Sequence, residues 1–306
     1  MPTDLEIRAG FADANGLKIA YEDIGNPNDP PMLLIMGFSA QLTAWPLPLV
    51  ERLVEGGNRV IRFDNRDIGL SSKISGARVE GNNLVRAAQF WTLGRPAKVP
   101  YTLVDMAKDA VGVLDHLGIE SANVVGASMG GMIAQIVAAE HADRVRTLSL
   151  VFTTTNEPFL PPPSARCFNA LFGGPGANAG RAERIDFSVQ FMKSIGGRKY
   201  PVSDAKIQEE AEKNYERSYY PAGIVRQLAA TIGTGSLVQY TKRIKSPTVI
   251  LHGTDDPLVR PQGGKAIARR IPHARLHLID GWGHNFPEEL IPDIAAILVN
   301  NAAQGR

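Results

Sequence analysis

Three kinds of residue that together make a serine reactive occur along the chain in a telling order. Ser128 stands in Val124-Val125-Gly126-Ala127-Ser128-Met129-Gly130-Gly131, two aspartates in His252-Gly253-Thr254-Asp255-Asp256-Pro257, and His284 at the end of Asp280-Gly281-Trp282-Gly283-His284. A serine hydroxyl is nearly inert at neutral pH. It becomes a nucleophile when an imidazole takes its proton and a carboxylate orients that imidazole. The chemistry such a set performs is acyl transfer. The Gly-x-Ser-x-Gly pattern is short enough to occur by accident, so its setting decides, and that means the elements that would carry the three side chains.

The setting of Ser128 is a short valine strand running into the glycines and then into a helix whose apolar residues are Met132, Ile133, Ile136 and Val137. A strand–turn–helix of this kind is what an exposed nucleophile requires, because the turn is too sharp for a Cβ at Gly126 or Gly130. The serine then sits at a helix N-terminus, where amides and dipole favour developing negative charge. The strand Val249-Ile250-Leu251 leads to Asp255 and Asp256, and the next strand, Leu276-His277-Leu278-Ile279, leads to His284, 156 residues after the serine. Acid and base thus follow the nucleophile in chain order, each after a later strand, with His284 on a loop free to swing over the serine. The other histidines are placed worse: His116 and His141 near helix ends, His273 in a turn, His277 inside a strand and His252 on the acid's own loop. A tetrahedral intermediate also needs two hydrogen-bond donors. The backbone N–H of Met129 is one; the N–H of Phe38, after the strand Met32–Met36, is the expected second, with Gly37 allowing close approach.

The rest of the chain supplies a frame for these loops. Strand-like runs at Glu6–Phe11, Leu17–Glu22 and Met32–Met36 come first, with Asn15-Gly16 as a two-residue hairpin signal. Helix-period and strand-period segments then alternate. Leu103, Met106, Ala107, Ala110, Val111 and Leu114 form one helical face, and Thr147–Phe152 is a strand. That alternation predicts a doubly wound α/β sheet. After Thr155 the rhythm stops and resumes near Pro247, so residues 156–236 read as a helical insertion between core segments 1–155 and 237–306.

Taken in order, Met36-Gly37, Asp64-Asn65-Arg66-Asp67-Ile68-Gly69-Leu70-Ser71, the Ser128 turn, Gly253-Thr254-Asp255-Asp256-Pro257 and Gly281-Trp282-Gly283-His284 resemble the signature of α/β-hydrolase fold enzymes. Asn28-Asp29-Pro30 leading into Leu33–Gly37, and the Arg-Asp-x-Gly-x-Ser segment, look most like the branch of aclacinomycin methylesterase and its relatives. The resemblance implies a mostly parallel, eight-stranded, doubly wound sheet with an inserted helical cap, and esterase activity on small to medium substrates without a cofactor. It implies the triad Ser128, Asp256 and His284, with Asp256 favoured over its neighbour Asp255. Lactone opening, carbon–carbon hydrolysis and perhydrolysis by the same triad are alternatives, and a ligand-binding protein with a vestigial triad is a third. Serine at the turn, where haloalkane dehalogenases and epoxide hydrolases carry aspartate, argues against their chemistry. Many family members have His-Gly where this chain has Met36-Gly37, so packing, and not a histidine, is expected to hold the oxyanion loop. The Asp64–Ser71 segment reads as a self-bonded polar turn. Trp45, Phe168, Phe172, Phe191 and Tyr219 are the candidates for the substrate pocket.

Composition narrows the partners. Lysine plus arginine (33) against aspartate plus glutamate (31) leaves +2 with no basic cluster, so nucleic acid is not indicated. The one cysteine, Cys167, excludes an intrachain disulfide and a cysteine-rich metal site. No histidine–carboxylate spacing suggests zinc, and Gly174-Pro175-Gly176 lacks the preceding strand of a dinucleotide loop. The N-terminus, with early acids and no apolar stretch, does not read as a signal peptide, and no apolar run reaches membrane-spanning length. A cytoplasmic monomer or homodimer acting on a small-molecule ester is expected.

Overall fold

A computed structural model of the protein describes residues 5–94, 97–176 and 178–305; the first four residues of the N-terminal stretch lie outside them. The chain opens on a hairpin of β1 (Ile7–Ala14) and β2 (Leu17–Ile24). Asn15 and Gly16 turn it with φ of 51° and 77°, the pair of positive values that suits the twist of the flanking strands. Then follow β3 (Pro31–Ile35), α1 (Leu47–Glu55), β4 (Arg59–Phe63), α2 (Asn83–Leu93), α3 (Leu103–His116), β5 (Ala122–Ala127), α4 (Met129–Glu140) and β6 (Val145–Val151). The insertion carries α5 (Ala165–Phe172), α6 (Arg181–Ile195), α7 (Asp204–Arg217) and α8 (Pro221–Thr234), with no strand among its described residues. The short α9 (Val238–Thr241) leads back to β7 (Thr248–Gly253), α10 (Gln262–Arg270), β8 (Arg275–Ile279) and α11 (Ile291–Ala302).

The eight strands form one sheet in the order β1-β2-β4-β3-β5-β6-β7-β8. β2 runs antiparallel to both its neighbours and all other pairs are parallel. Side chains alternate across the sheet. Leu33, Ile35, Val124 and Leu148 pack beneath α3 and α4, while Met32, Leu34, Val125 and Val249 pack beneath α1 and α11. Both faces are covered, which is why β3 and β5 are almost unbroken apolar runs. The expected face of α3 is buried, and its start is fixed by a reciprocal cap between Thr102 and Asp105.

One helix carries no clear sequence signal. Among the described side chains of α2, Arg86, Ala87 and Phe90 are buried, whereas Leu84, Val85 and Leu93 are exposed, so its apolar residues form no single stripe of period 3.6. Its ends are set locally instead: the Asn82 side chain accepts the Leu84 N–H, and Gly94 closes the helix at φ 64°. No helix among the described residues is long and apolar enough to cross a membrane.

Candidate active site

Register brings the functional loops together. Ile35 of β3 is level with Gly126 of β5, Gly126 with Leu150 of β6, Val151 with Leu251 of β7, and Gly253 with Ile279 of β8. The loops that leave the carboxyl ends of these strands therefore meet above one edge of the sheet. In open α/β sheets that edge is where ligands bind.

At the end of β5 the backbone turns through Ser128 with φ 55° and ψ −122°. A non-glycine residue held there costs about 1–3 kcal/mol, and the surroundings must impose it. The imposing contacts are specific. The Ser128 N–H donates to Val151 O at 3.0 Å, and its carbonyl accepts from the Gly131 and Met132 amides and from Thr153 Oγ1 at 2.9, 3.2 and 2.6 Å. A Cβ on Gly126 would lie 2.4 Å from Gly130 O, and one on Gly130 would lie 2.0 Å from Ile35 O. Only glycine lets the turn close and lets α4 start against the end of β3.

The three side chains form a continuous relay. Ser128 Oγ lies 2.9 Å from His284 Nε2, and His284 Nδ1 lies 2.7 Å from Asp256 Oδ2. A carboxylate can only accept, so Nδ1 carries the proton and Nε2 is left to accept from the serine hydroxyl. Asp256 is fully buried and its Oδ1 accepts the Leu258 and Val259 amides, both at 2.9 Å. Burial alone would raise its pKa. Electrostatic attraction to His284 and hydrogen bonds from His252 and His284 outweigh that and hold the carboxyl below its ordinary range. Asp255 points elsewhere, to an ion pair with the exposed Arg198 at 2.8 Å. His252 is buried beside the acid: its Nε2 donates to Val259 O at 2.7 Å and lies 3.4 Å from Asp256 Oδ2.

The histidine loop is held more firmly than a glycine-flanked segment suggests. Trp282 is buried, its indole N–H donates to Asn285 O at 2.6 Å, and its carbonyl accepts the Asp255 amide. The His284 N–H donates to Ile195 O, at the end of α6, at 2.8 Å. The ring of Phe152 packs 4.4 Å from the imidazole. Contacts from core and insertion alike hold its imidazole over the serine.

The Met36–Ser39 loop is likewise bonded and not merely packed. Asn65 Nδ2 donates to Met36 O at 2.8 Å, and the Ser39 N–H donates to Gln227 Oε1, from α8, at 3.0 Å. A Cβ on Gly37 would sit 2.9 Å from that of Ser128, so this loop runs directly past the serine. Phe38 and Met129 line the same cavity as Ser128. Met129 opens α4, where the first amides have no partner within the helix.

The Asp64–Ser71 segment is only partly self-bonded. Asp64 does accept the Leu70 amide, but it also accepts Leu42 N–H at 2.7 Å and pairs with Arg217 at 2.8 Å. Asp67 takes two hydrogen bonds from Arg226, both 2.8 Å, and one from Tyr101 at 2.8 Å. Arg217 and Arg226 belong to α7 and α8. The segment is thus the seat of the insertion as well as a brace of the floor.

Above Ser128 lies a cavity of about 150 Å³. Its walls are mostly apolar, from Met132, Phe90, Leu171, Phe172, Leu228 and Ile232 together with the Leu160–Pro163 run, with Thr154, Asn156, Glu157, Thr231 and Arg260 as polar members. Of the five pocket candidates, only Phe172 lines it. Trp45 is fully buried behind the floor, 5.3 Å from the Phe286 ring, because its neighbours pack it into the sheet face under α1. Phe168 stacks behind Phe172 at 4.7 Å. Tyr219 stacks on Tyr215 at 5.0 Å beneath the Arg184 guanidinium. Phe191, on α6, is half-buried away from the cavity. Leu228 and Ile232, spaced i, i+4 on α8, line it as well, and that spacing is the only sequence signal they carry.

Comparison with known proteins agrees with this architecture. A family model described as alpha/beta hydrolase fold matches residues 30–289. The rhodomycin D methylesterase DauP of Streptomyces sp. (strain C5) is 28% identical over 295 residues, covering 90% of this chain and 92% of that protein. A poly(3-hydroxyalkanoate) depolymerase of Ectopseudomonas oleovorans is 27% identical over 306 residues, covering 100% of this chain and 95% of its own. Among solved structures, the enol-lactonase of Burkholderia xenovorans LB400 superposes with a TM-score of 0.71 at 24% identity, covering 96% of this chain and 100% of that one. With the sheet order, the strand-end loops and a match over residues 30–289, the chain belongs to the α/β-hydrolase fold family.

Proposed function

We propose that the protein is a serine hydrolase that cleaves carboxylic esters of small to medium, largely apolar substrates. The observation that carries this reading is the unbroken relay from Ser128 Oγ through His284 to the buried Asp256 carboxylate. Ser128 attacks the ester carbonyl as His284 Nε2 takes its proton. The oxyanion that forms is met by the Phe38 and Met129 amides at the positive end of α4. His284 then protonates the departing alcohol, Asp256 stabilising the imidazolium meanwhile, and a water activated by the same imidazole clears the acyl-enzyme.

Residues 156–236 act in this reading as a cap over the site, and the apolar cavity beneath favours uncharged acyl or alcohol groups. The relatives named as a methylesterase and a polyester depolymerase support ester hydrolysis. The enol-lactonase of like fold keeps lactone opening as the second reading, and a product screen across ester, lactone and vinylogous diketone substrates separates them. A cytoplasmic monomer or homodimer is the setting proposed.

The test is Ser128→Ala on p-nitrophenyl butyrate together with a fluorophosphonate probe. Turnover and labelling are both expected to vanish. A variant that keeps near wild-type turnover, or a wild type that is never labelled, sinks the assignment.

A further inference from the structure

The insertion reaches under the cavity as well as over it. Gln227, in the first half of α8, is fully buried and uses both ends of its amide. Its Oε1 accepts the Ser39 N–H at 3.0 Å, and its Nε2 donates to Arg66 O at 2.8 Å. The next residue of α8, Leu228, lines the substrate cavity. One helix therefore touches both the substrate space and the loop that carries the Phe38 amide.

What the Ser39 contact controls follows from peptide geometry. Each peptide unit is a rigid plane, so a loop changes shape only by rotating planes about the Cα atoms between them. Three planes matter. Asn65 fixes the first by bonding Met36 O at 2.8 Å. Gln227 fixes the third by bonding the Ser39 N–H. The plane between them contains the Phe38 N–H, and with both neighbours fixed it is confined. Ser39 itself sits at φ 59°, an uncommon conformation for serine that the bond helps to hold.

We infer that Gln227 is a positioning residue for catalysis: the cap supplies, through this side chain, the bond that shapes the oxyanion hole. The inference rests on the serine-hydrolase reading above. It makes a seated α8 a condition of chemistry and not only of substrate enclosure. α8 has its own anchor next door, where Arg226 is bonded twice to Asp67. Removing the Gln227 amide therefore leaves the helix in place and isolates its effect on the loop.

Gln227→Met keeps the volume and loses both hydrogen bonds; Gln227→Leu serves if Met is not accommodated. Gln227→Glu keeps an oxygen to accept from Ser39 while losing the donor to Arg66. With p-nitrophenyl butyrate, Gln227→Met is expected to lose about 10- to 100-fold in kcat with KM within about twofold, the pattern of a donor displaced only in the transition state. The inhibition constant of a trifluoromethyl ketone, whose adduct places an oxyanion in the hole, should rise by a similar factor. Gln227→Glu should keep more of both. A folded Gln227→Met with kcat within threefold of wild type overturns the inference. So does an equal loss in Gln227→Met and Gln227→Glu with inhibition unchanged, which would place the effect at Arg66. Wild-type protein without Ser128-dependent turnover would overturn the hydrolase reading itself, and this inference with it.

Discussion

Helices α5 and α8 belong to one insertion, yet they meet the rest of the molecule by opposite means. α8 is bound to the core by buried polar groups: Arg226 on Asp67, and Gln227 on Ser39 and Arg66. α5 has one fully buried side chain, Cys167, and the segment leading to it exposes Phe159 (78%) before the Pro161–Pro163 run. Of its aromatic pair, Phe172 lines the cavity and Phe168 stacks against it. Hydrogen bonds and paired charges fix direction and register, whereas apolar surfaces tolerate sliding and substitution. On the reading proposed above, the α8 side is an extension of the catalytic floor, and the α5 side the part free to set substrate choice.

If that division holds, changes on the floor should damage chemistry, changes at the α8 seat should damage stability, and changes at α5 should alter preference. The largest effect is expected on the floor. Asp256→Asn keeps the shape but offers His284 the wrong partner, and it should lower kcat by about 10⁴-fold on a p-nitrophenyl ester. The same variant has a thermodynamic signature. The Asp256 carboxyl is held below its ordinary range, so it contributes stability that is present above about pH 4, the unfolded value, and is lost as pH falls through its lower folded value. Chemical denaturation should show the wild type's advantage over Asp256→Asn at neutral pH, shrinking below about pH 4. An advantage that grew with acid would contradict the sign of the shift.

At the α8 seat, Arg226→Met is expected to cost about 3–5 kcal/mol, because it strands the Asp67 carboxylate without its cation in a fully buried site. Tyr101 and the Ile74 amide remain as partners but carry no charge to offset it. Adding Asp67→Asn should return a large part of the loss. Thermal unfolding of the two variants measures this. A double variant no better than the single one would mean that the seat works by shape and not by charge.

The parts of this arrangement that could be read from the chain are those set by local pattern. Ser128, Asp256 and His284 each follow a recognisable strand, and strands in a parallel sheet end level, so order along the chain converts into proximity. Gln227 had no such signal. Its partners are 188 and 161 residues away, and a glutamine in a helix looks the same whether it faces water or a loop. Asn65 could be read as part of a motif but not as the clamp on Met36. Trp45, Phe168, Phe191 and Tyr219 fall outside the cavity above Ser128 for a related reason: the segment of an aromatic residue does not fix its direction, and tertiary packing chooses. The Met36-Gly37 departure was visible, but what replaces the usual histidine was not, because the replacement comes from two distant elements.

The smallest effect, and the one that tests the comparison from its permissive side, is expected at Phe172. Its ring lines the cavity while Phe168 supports it from behind, and the residue is only half-buried. Phe172→Ala should therefore cost less than about 2 kcal/mol in stability, well under a fully buried aromatic. The space released lies on the substrate's path and not around the triad, so kcat on p-nitrophenyl butyrate should change by less than about threefold. Preference should move instead. In an apolar pocket one methylene carries about 1–3 kcal/mol of discrimination, so room for even one of the extra methylenes of octanoate should raise its kcat/KM relative to butyrate by about tenfold. The p-nitrophenyl ester series read with wild type and variant side by side gives that ratio. If Phe172→Ala instead lowers kcat for all chain lengths alike, α5 is part of the catalytic floor after all, and the contrast with α8 fails at the residue best placed to show it.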